Sequence, residues 1–204
     1  IRFRYENPGN TEVGATGATA VPQYIKDMPG YKETSNYAEG SKTYYADWTN
    51  AELMWFTKQF ITDFNAQYKD DPRIAVLQVG FGHWSEGHIY GTTLRLGVNF
   101  PSKAYQKEYF THVANTLEIP WGMSIDGGDS YYSPVAEDEE LLALAFGAFD
   151  DSFMHAGHEL ASGSGWNEMC WDGIGKEYRW KKGICGGEIS YYTSNDQKNF
   201  LNPA

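Results

Sequence analysis

The sequence is poor in cysteine, has fewer basic than acidic side chains, and contains no long apolar run. Its 204 residues include 2 cysteines, 16 lysines and arginines, and 27 aspartates and glutamates, so the formal net charge is −11. Nucleic-acid backbones and anionic membranes bind basic surfaces, and we therefore expect neither as a partner. No apolar stretch approaches the ~20 residues that cross a bilayer. These absences predict a globular protein, and its length fits a single domain over 1–204.

The two cysteines, Cys170 and Cys185, are too few for a disulfide scaffold, and their spacing matches no zinc motif. They either pair in an oxidising compartment or remain buried thiols, and the sequence leaves both options open. No secretory signal is visible. Because the chain opens with Ile1 rather than Met, a signal peptide that has been removed is compatible with the sequence.

Aromatic residues, by contrast, are abundant. Tyr, Phe and Trp occur 15, 11 and 7 times and make up 16% of the chain. They fit either a large aromatic core or a cleft in which sugar rings stack on flat faces. Both interpretations stay open, since buried and exposed aromatics look alike in a sequence.

Strand-like and helix-like patterns alternate along the chain. The strand patterns cover 1–6, 74–81, 121–126, 147–153 and 183–192, and the helical patterns cover 49–68, 102–117, 133–146 and 167–173. This alternation predicts an α/β fold with a parallel sheet, either doubly wound or closed into a barrel. The Gly-, Pro- and Tyr-rich segment 7–47 is longer than an ordinary connection, and we expect a functional loop or an excursion over the active face.

Each predicted strand ends in polar side chains. They are Tyr5 and Glu6, Glu86, Asp126, Asp150 and Asp151, and Glu188. Because parallel strands end at one rim of the sheet, these groups are expected to gather there. Asp126 and Asp150 are also explained as helix caps or loop residues. Glu is a poor cap, so Glu86 and Glu188 are the stronger candidates for chemistry.

A pair of glutamates on one rim is what glycoside hydrolysis requires. One carboxylic acid protonates the leaving oxygen, and the other acts as nucleophile or activates water. Apolar walls or a neighbouring carboxylate would raise the pKa of the acid toward neutral pH. Trp84, Trp166, Tyr131 and Tyr132 are candidates for sugar-stacking platforms.

The histidines raise the alternative of a metal site. His83, Glu86 and His88 lie close together in the sequence, and His155 and His158 are available from another loop. The H-x-x-E-x-H order is not the helical motif of zinc proteases, and it follows a strand rather than lying on a helix. We therefore expect His88 to contact a sugar or to support the loop, and we assign neither a metal nor a cofactor.

The stretch "DDPRIAVLQVGFGHWSEGH", with "IRFRYE" upstream and "GGEIS" downstream, resembles a bacterial family of unknown function. Its members are glycosidase-like (β/α)₈ barrels that look like distant relatives of the large retaining glycosidase clan. That clan carries its acid/base glutamate after strand 4 and its nucleophile glutamate after strand 7. Where the clan usually has Asn before the acid/base, this chain has Ser85.

The resemblance implies a (β/α)₈ TIM barrel of which the chain holds about strands 3 to 7. "IRFRYE" would be strand 3, and strands 1, 2 and 8 would come from outside 1–204. Glu86 and Glu188 then occupy the two catalytic positions. The implied partner is a carbohydrate, and a polysaccharide substrate implies an extracytoplasmic location.

Three functions follow as hypotheses. The first is a retaining glycoside hydrolase acting on a polysaccharide or oligosaccharide, with Glu86 as acid/base and Glu188 as nucleophile. The substrate contacts that we expect to support it are Tyr5, Glu6, Trp84, His88, Asp126, Tyr131, Asp150 and Trp166. The second is a non-catalytic barrel that binds a glycan, and the third is a metal-dependent hydrolase that uses the histidines.

Overall fold

The computed structural model describes residues 1–10, 19–153, 155, 165–190 and 192–201. The strands are β1 (Thr34–Ala38), β2 (Ser41–Tyr45), β3 (Leu77–Gln78), β4 (Trp121–Ser124), β5 (Gly147–Phe153) and β6 (Gly186–Ile189). The helices are α1 (Gln23–Lys26), α2 (Ala51–Tyr68), α3 (Lys103–Thr116), α4 (Glu139–Ala143), α5 (Trp166–Gly173) and α6 (Ser194–Leu201). Strands β3, β4, β5 and β6 form a curled parallel sheet in that order, and β1 and β2 form an antiparallel hairpin. The α/β class is therefore confirmed.

The expected (β/α)₈ barrel is wrong. The described residues contain four parallel strands, and β3 and β6 end the sheet without pairing to each other, whereas a barrel of this type closes with eight. The segment 1–6, expected as a barrel strand, forms only isolated parallel bridges, Arg2 with Gln78 and Glu6 with His83. The expectation that strands 1, 2 and 8 lie outside the chain depended on the barrel and falls with it.

Three other predicted strands are shorter than expected. The run 121–126 pairs only over β4 and continues as a 3₁₀ turn at Ile125–Gly128. The apolar run 74–81 pairs as a strand only over β3, and it is followed by Gly82, whose φ of +77° turns the chain. The run 183–192 pairs only over β6. The prediction for 147–153 is confirmed by β5.

The long helices agree with the sequence patterns more closely. Helix α3 begins after Ser102, whose hydroxyl accepts a hydrogen bond from the backbone N–H of Tyr105, as a capping serine does. Helix α2 is capped by Asn50, whose side chain accepts a hydrogen bond from the backbone N–H of Leu53. The 133–146 pattern splits into a 3₁₀ turn at Val135–Glu137 and the short α4.

The core includes residues of the sheet and of helices α2 and α3, and 11 of its 29 described buried residues are aromatic. The Phe81 ring, 2% exposed, lies 5.1 Å from the Trp48 ring and 4.8 Å from the Tyr109 ring. Burial of each such ring stabilises the fold by roughly 1.5–3 kcal/mol. This cluster supports the loop that follows Phe81, which carries the candidate site.

The segment 19–47 contains regular structure where the sequence suggested a loop. Helix α1 leads into the β1–β2 hairpin, whose turn residues Glu39 and Gly40 have φ of +50° and +75°. Positive φ at both positions is the turn geometry that matches the twist of a two-stranded ribbon. Within the described ranges no helix is long and apolar enough to span a bilayer. Cys170 and Cys185 are both free thiols.

A fully buried arginine joins α4 to the segment before β6. The Arg179 guanidinium donates hydrogen bonds to the carbonyls of Leu142 at 2.9 Å and Leu144 at 3.0 Å, and its Nε donates to that of Ile174 at 2.7 Å. The same group lies 3.5 Å from the centre of the Phe146 ring. Arg179 therefore satisfies backbone carbonyls that the end of α4 would otherwise leave without donors.

Candidate active site

The loop after β3 is a tight turn that depends on two glycines. A Cβ on Gly82 would lie 2.1 Å from the carbonyl oxygen of His88, and one on Gly80 would lie 2.2 Å from that of Ser85. The turn is closed by backbone hydrogen bonds from His83 N to His88 O at 2.8 Å and from Glu86 N to His83 O at 2.9 Å. Segment 79–90 thus folds back on itself and presents Glu86 at a defined position.

Trp84 and Ser85 in this loop have left-handed backbone conformations, with φ of +51° and +64°. A non-glycine residue in this region costs of order 1–3 kcal/mol, and such residues cluster at functional sites. The first segment of the chain holds the pair in place. Ser85 donates its hydroxyl hydrogen to the carbonyl of Phe3, and Trp84 N donates to Glu6 O at 3.1 Å.

The structure brings Glu86 and Glu188 together at a single guanidinium. Arg2 donates from Nη1 to Oε1 of Glu86 and from Nη2 to Oε1 of Glu188 at 2.6 Å. The Glu86 side chain is 5% exposed and the Glu188 side chain is 59% exposed. The two carboxylates therefore share one cation but differ sharply in their contact with water.

This difference in burial separates the chemistry of the two carboxylates. Burial raises the pKa of Glu86 to about 7, against the lowering effect of Arg2, and the negative charge of Glu188 raises it further. Glu86 is therefore partly protonated near neutral pH. A carboxyl group with such a pKa can act first as a general acid and then as a general base.

His88 lies beside Glu86 on the same loop and is 5% exposed. Its ring stacks on Tyr90 with centroids 3.9 Å apart, and its Nε2 lies 3.9 Å from Oε2 of Glu86. Burial lowers the pKa of His88, although the nearby Asp126 and Asp151 act in the opposite direction. The ring is therefore neutral at physiological pH.

Two further acids surround this group. Asp126 follows β4, and its oxygens accept hydrogen bonds from the hydroxyls of Tyr90 and Ser124, each at 2.8 Å. Burial raises the pKa of Asp126 to about 6, and burial with repulsion from Glu86 raises that of Asp151 on β5 to about 6. The rim thus concentrates negative charge opposite the single guanidinium of Arg2.

Asp150, the predicted substrate contact on β5, is buried and tied to its neighbours. It accepts hydrogen bonds from the amide of Asn167 at 3.0 Å and from the backbone N–H of Ser152 at 2.9 Å. These bonds connect β5 to α5. The structure therefore places Asp150 beside the rim, with both carboxylate oxygens in contact with the protein.

The remaining predicted contacts are dispersed. Tyr5 packs edge-on against Trp48 at 6.1 Å, and Glu6 is 1% exposed and accepts a hydrogen bond from the Ala46 N–H at 2.8 Å. Trp84 is half-buried beside His88, with ring centroids 6.2 Å apart. Tyr131 is 61% exposed. Trp166 begins α5, and its side chain lies outside what the structure describes.

Burial raises the pKa of Glu6 to about 8, so this carboxyl is a protonatable group inside the protein rather than a surface contact. Tyr5 and Glu6 lie on the inner side of the first segment. Of the predicted aromatic contacts whose side chains are described, Tyr131 is exposed, Tyr5 and Trp84 are half-buried, and Tyr132 is buried.

The histidines that the structure describes form no metal site, although the rings of His83 and His88 lie 5.5 Å apart. His83 is fully buried, bonds to the Tyr45 hydroxyl through Nε2 at 3.1 Å, and has a pKa that burial lowers to about 3. His155 contacts Asp196 at 3.1 Å, and His158 lies outside the described residues. In the part of the chain that the structure describes, no group of three or more His, Cys, Asp or Glu side chains could hold a metal ion.

Arg2, Asp151 and Tyr90 belong to the site but were not among the predicted site residues. Asp151 was visible as a polar residue ending a strand. Arg2 alternates with apolar residues in "IRFRYE", and this pattern is equally typical of a solvent-facing side chain. Position was the one signal that could have indicated Arg2 as a site residue, because Arg2 lies beside β3, the strand that leads to Glu86.

A cavity of about 150 Å³ leads along the sheet to Glu188 and is lined by residues of all four parallel strands. Its lining includes Gly186 and Gly187, which carry no side chains into it. The Arg2 guanidinium lies 5.3 Å from the Phe149 ring at the same end. A ligand in this cavity would lie against the sheet and contact Glu188, whereas Glu86 lines a separate cavity of about 10 Å³.

Comparison with models of known protein families, with curated proteins and with solved structures found no match.

Proposed function

We propose that the protein is a glycoside hydrolase that cleaves a polysaccharide or oligosaccharide, with Glu86 as acid/base and Glu188 as nucleophile. One observation carries the proposal: two carboxylates share the Arg2 guanidinium, and the buried one has its pKa raised to about 7. Two carboxyl groups in contrasting environments are the arrangement that divides acid and nucleophile roles in this chemistry.

In the first step, Glu86 transfers its proton to the glycosidic oxygen as the bond from that oxygen to the anomeric carbon breaks. The Glu188 carboxylate attacks the same carbon and forms a glycosyl ester. The leaving sugar departs with the proton as a free hydroxyl. Arg2 holds both carboxylates in position throughout, and its charge offsets the repulsion between them before the attack.

In the second step, the Glu86 carboxylate removes a proton from a water molecule. The water oxygen attacks the anomeric carbon, the ester bond to Glu188 breaks, and both side chains return to their starting states. A group that alternates between acid and base works best when its pKa lies near the working pH. A pKa of about 7 for Glu86 meets this condition.

Retention of configuration is the stereochemical outcome that we propose. Retaining pairs lie ~5–5.5 Å apart, and inverting pairs lie ~6.5–9.5 Å apart to admit a water molecule. Both carboxylates bond to nitrogens of one guanidinium, and this shared contact favours the closer spacing. Proton NMR of the first sugar anomer released would test it.

An aromatic side chain beside the acids supports a sugar as the ligand. Trp84 precedes Glu86 by two residues and is half-buried, with its ring centroid 6.2 Å from that of His88. Sugar rings stack on such faces while polar groups bind their hydroxyls. A polysaccharide substrate would place the protein outside the cytoplasm.

The test is release of reducing ends from a broad polysaccharide panel by the wild type, Glu86→Gln and Glu188→Gln. Glu140→Gln is the matched control, because Glu140 lies on α4 as an exposed carboxylate that pairs with Lys107 of α3. We expect activity in the wild type and the control and a loss of at least about 10³-fold in both site variants. Unchanged activity in either site variant would refute the assigned roles.

One observation favours a second function, binding of a glycan without turnover. The Ser85 hydroxyl, at the position that would otherwise contact a substrate 2-hydroxyl, is already bonded to the carbonyl of Phe3. Hydrogen bonds to that hydroxyl contribute to the transition state of glycosidases. Calorimetric binding of a panel glycan by all three proteins, with no reducing ends released, would favour this function.

A further inference from the structure

The cavity of about 150 Å³ that leads to Glu188 lies on one face of the parallel sheet. Successive residues of a strand point to opposite faces of a sheet. On β3, Leu77 belongs to the hydrophobic core, and Gln78 points to the other face and lines the cavity. Phe149 on β5 and Gly186 on β6 are paired, so they share that face. The cavity is therefore formed by alternate residues of neighbouring strands.

The walls of this cavity are largely apolar. Val76 and Ile184 line the end at which the strands begin, and Phe149 lines it from β5. Three of the nine described lining residues are glycines, so part of the wall is bare backbone. Glycine within a strand permits close approach of a ligand to the backbone. A cavity of ~150 Å³ accommodates one six-membered ring. The shape therefore fits a single ring that lies against the sheet.

Two polar side chains line the cavity, those of Gln78 and Glu188. Within the described part of the chain, the side-chain amide of Gln78 has no hydrogen-bond partner. An amide offers donors and an acceptor, whereas a carboxylate only accepts. Hydroxyl groups both donate and accept, so one molecule that carries several hydroxyls satisfies both side chains at once.

The charge that lines the cavity is negative. Glu188 is the charged residue among the described lining residues, and Arg2 lies outside the lining. The Arg2 guanidinium is already shared between Glu86 and Glu188. A carboxylate or sulfate on a ligand would meet the charge of Glu188 without a cation to offset it, and like charges repel. The cavity therefore favours a neutral ligand.

We propose that this face of the sheet binds one neutral sugar ring, with Gln78 as the residue that recognises its hydroxyl groups. The inference rests on the proposed function, since the choice of a sugar follows from it. The ring lies against the glycine backbone, one hydroxyl bonds to the Gln78 amide, and the end of the ring faces the Glu188 carboxylate. Gln78 thereby determines specificity, because a site that hydrogen-bonds a hydroxyl rejects a ligand without it.

The test is binding of D-glucose, D-galactose, D-mannose and D-xylose, with D-glucuronate as the charged comparison, by saturation-transfer difference NMR. Gln78→Met removes the amide and keeps the length of the side chain. Gly186→Ala places a methyl group in the cavity at little structural cost, since no atom lies within 4 Å of the new Cβ. Gln59→Met is the matched control, because the Gln59 amide bonds to Asp63 on α2, away from the cavity.

We expect at least one neutral sugar to bind the wild type and the control equally. Its affinity should fall about fivefold in Gln78→Met, as loss of one neutral hydrogen bond predicts. In Gly186→Ala, where the ring is displaced from the backbone, the affinity should fall at least about tenfold. D-glucuronate should bind more weakly than D-glucose. The side-chain amide signals of Gln78, assigned by their absence in Gln78→Met, should shift when the sugar is added to the wild type.

Three results would each overturn the inference: no neutral sugar binds the wild type, both cavity variants bind as the wild type does, or D-glucuronate binds more tightly than D-glucose. The measurement needs no turnover, so it separates this site from the proposed reaction. Binding that depends on Gln78, with no reducing ends released from the panel, would refute the hydrolase and support the site. Released reducing ends with unchanged binding in both cavity variants would refute the site and leave the hydrolase standing.

Discussion

Arg2→Met tests the central feature of the site. The substitution removes the guanidinium and keeps an unbranched side chain of similar length. The Arg2 side chain is 18% exposed and that of Glu86 is 5% exposed, so the pair is poorly screened by water. Opposite charges ~4 Å apart attract by roughly 4 kcal/mol at the dielectric typical of such positions.

This attraction opposes the effect of burial on Glu86, whose pKa is about 7 with Arg2 in place. An opposite charge at this range lowers a carboxyl pKa by ~1–3 units. Its removal should therefore raise the Glu86 pKa by at least about one unit and keep the group protonated beyond pH 8. The contact with Glu188 contributes only ~0.2–1 kcal/mol, because Glu188 is 59% exposed.

The assay is carbon-13 NMR titration of the Glu86 carboxyl, assigned by its disappearance in Glu86→Gln, combined with kcat/KM between about pH 5 and 9 on any substrate that the panel identifies. Arg73→Met is the matched control, since Arg73 is exposed and pairs with Asp71 at the surface. We expect the control to match the wild type. A Glu86 midpoint that stays the same or falls in Arg2→Met would refute the account of how the two carboxylates are held.

Three further predictions concern stability. The pKa of Glu6 is about 8 against 4.5 for an unburied Glu, so the folded protein loses stability as pH rises above 4.5. In urea unfolding, Glu6→Gln should gain about 4 kcal/mol at pH 8 and almost nothing at pH 4, and an equal gain at both pH values would contradict this. Gly82→Ala should lower stability by about 2 kcal/mol or more and abolish any activity, because the new Cβ would meet the carbonyl oxygen of His88. Gly30→Ala is the control: Gly30 also has positive φ, but no atom lies within 4 Å of the new Cβ, so the loss should be only about 1 kcal/mol. Equal losses would argue against the close contact of Gly82 with His88. Arg179→Met should cost about 3 kcal/mol in the same assay by leaving buried carbonyls without donors, and a neutral result would show that water replaces the guanidinium.

Local patterns in the sequence predicted the elements whose boundaries are set locally. Helix α3 has a capping Ser102 and a regular apolar period, and β5 is an apolar run followed by two acids. The number of strands was mispredicted because closure of a sheet is a property of the whole chain. The run 74–81 shows that an apolar pattern does not specify where pairing begins and stops, since only Leu77 and Gln78 of this run pair as a strand.

Part of the site could be predicted because strand ends carry acids to one rim in any parallel sheet. Glu86 and Glu188 were found in this way. Arg2 was missed because its alternating pattern does not distinguish a side chain facing the cleft from one facing water. The hydrogen bond from Tyr90 to Asp126 joins residues 36 positions apart, and no local pattern encodes such a contact.

The site depends on contacts that the first six residues make with the rest of the protein. They supply the Arg2 guanidinium, the Phe3 carbonyl that holds Ser85, and the Glu6 carbonyl that holds Trp84. A molecule in which this segment has not yet docked lacks the clamp between the carboxylates and two of the contacts that keep the strained turn in place. A protease that trims these residues would therefore remove the clamp and both contacts, together with the packing of Tyr5 against Trp48 in the core.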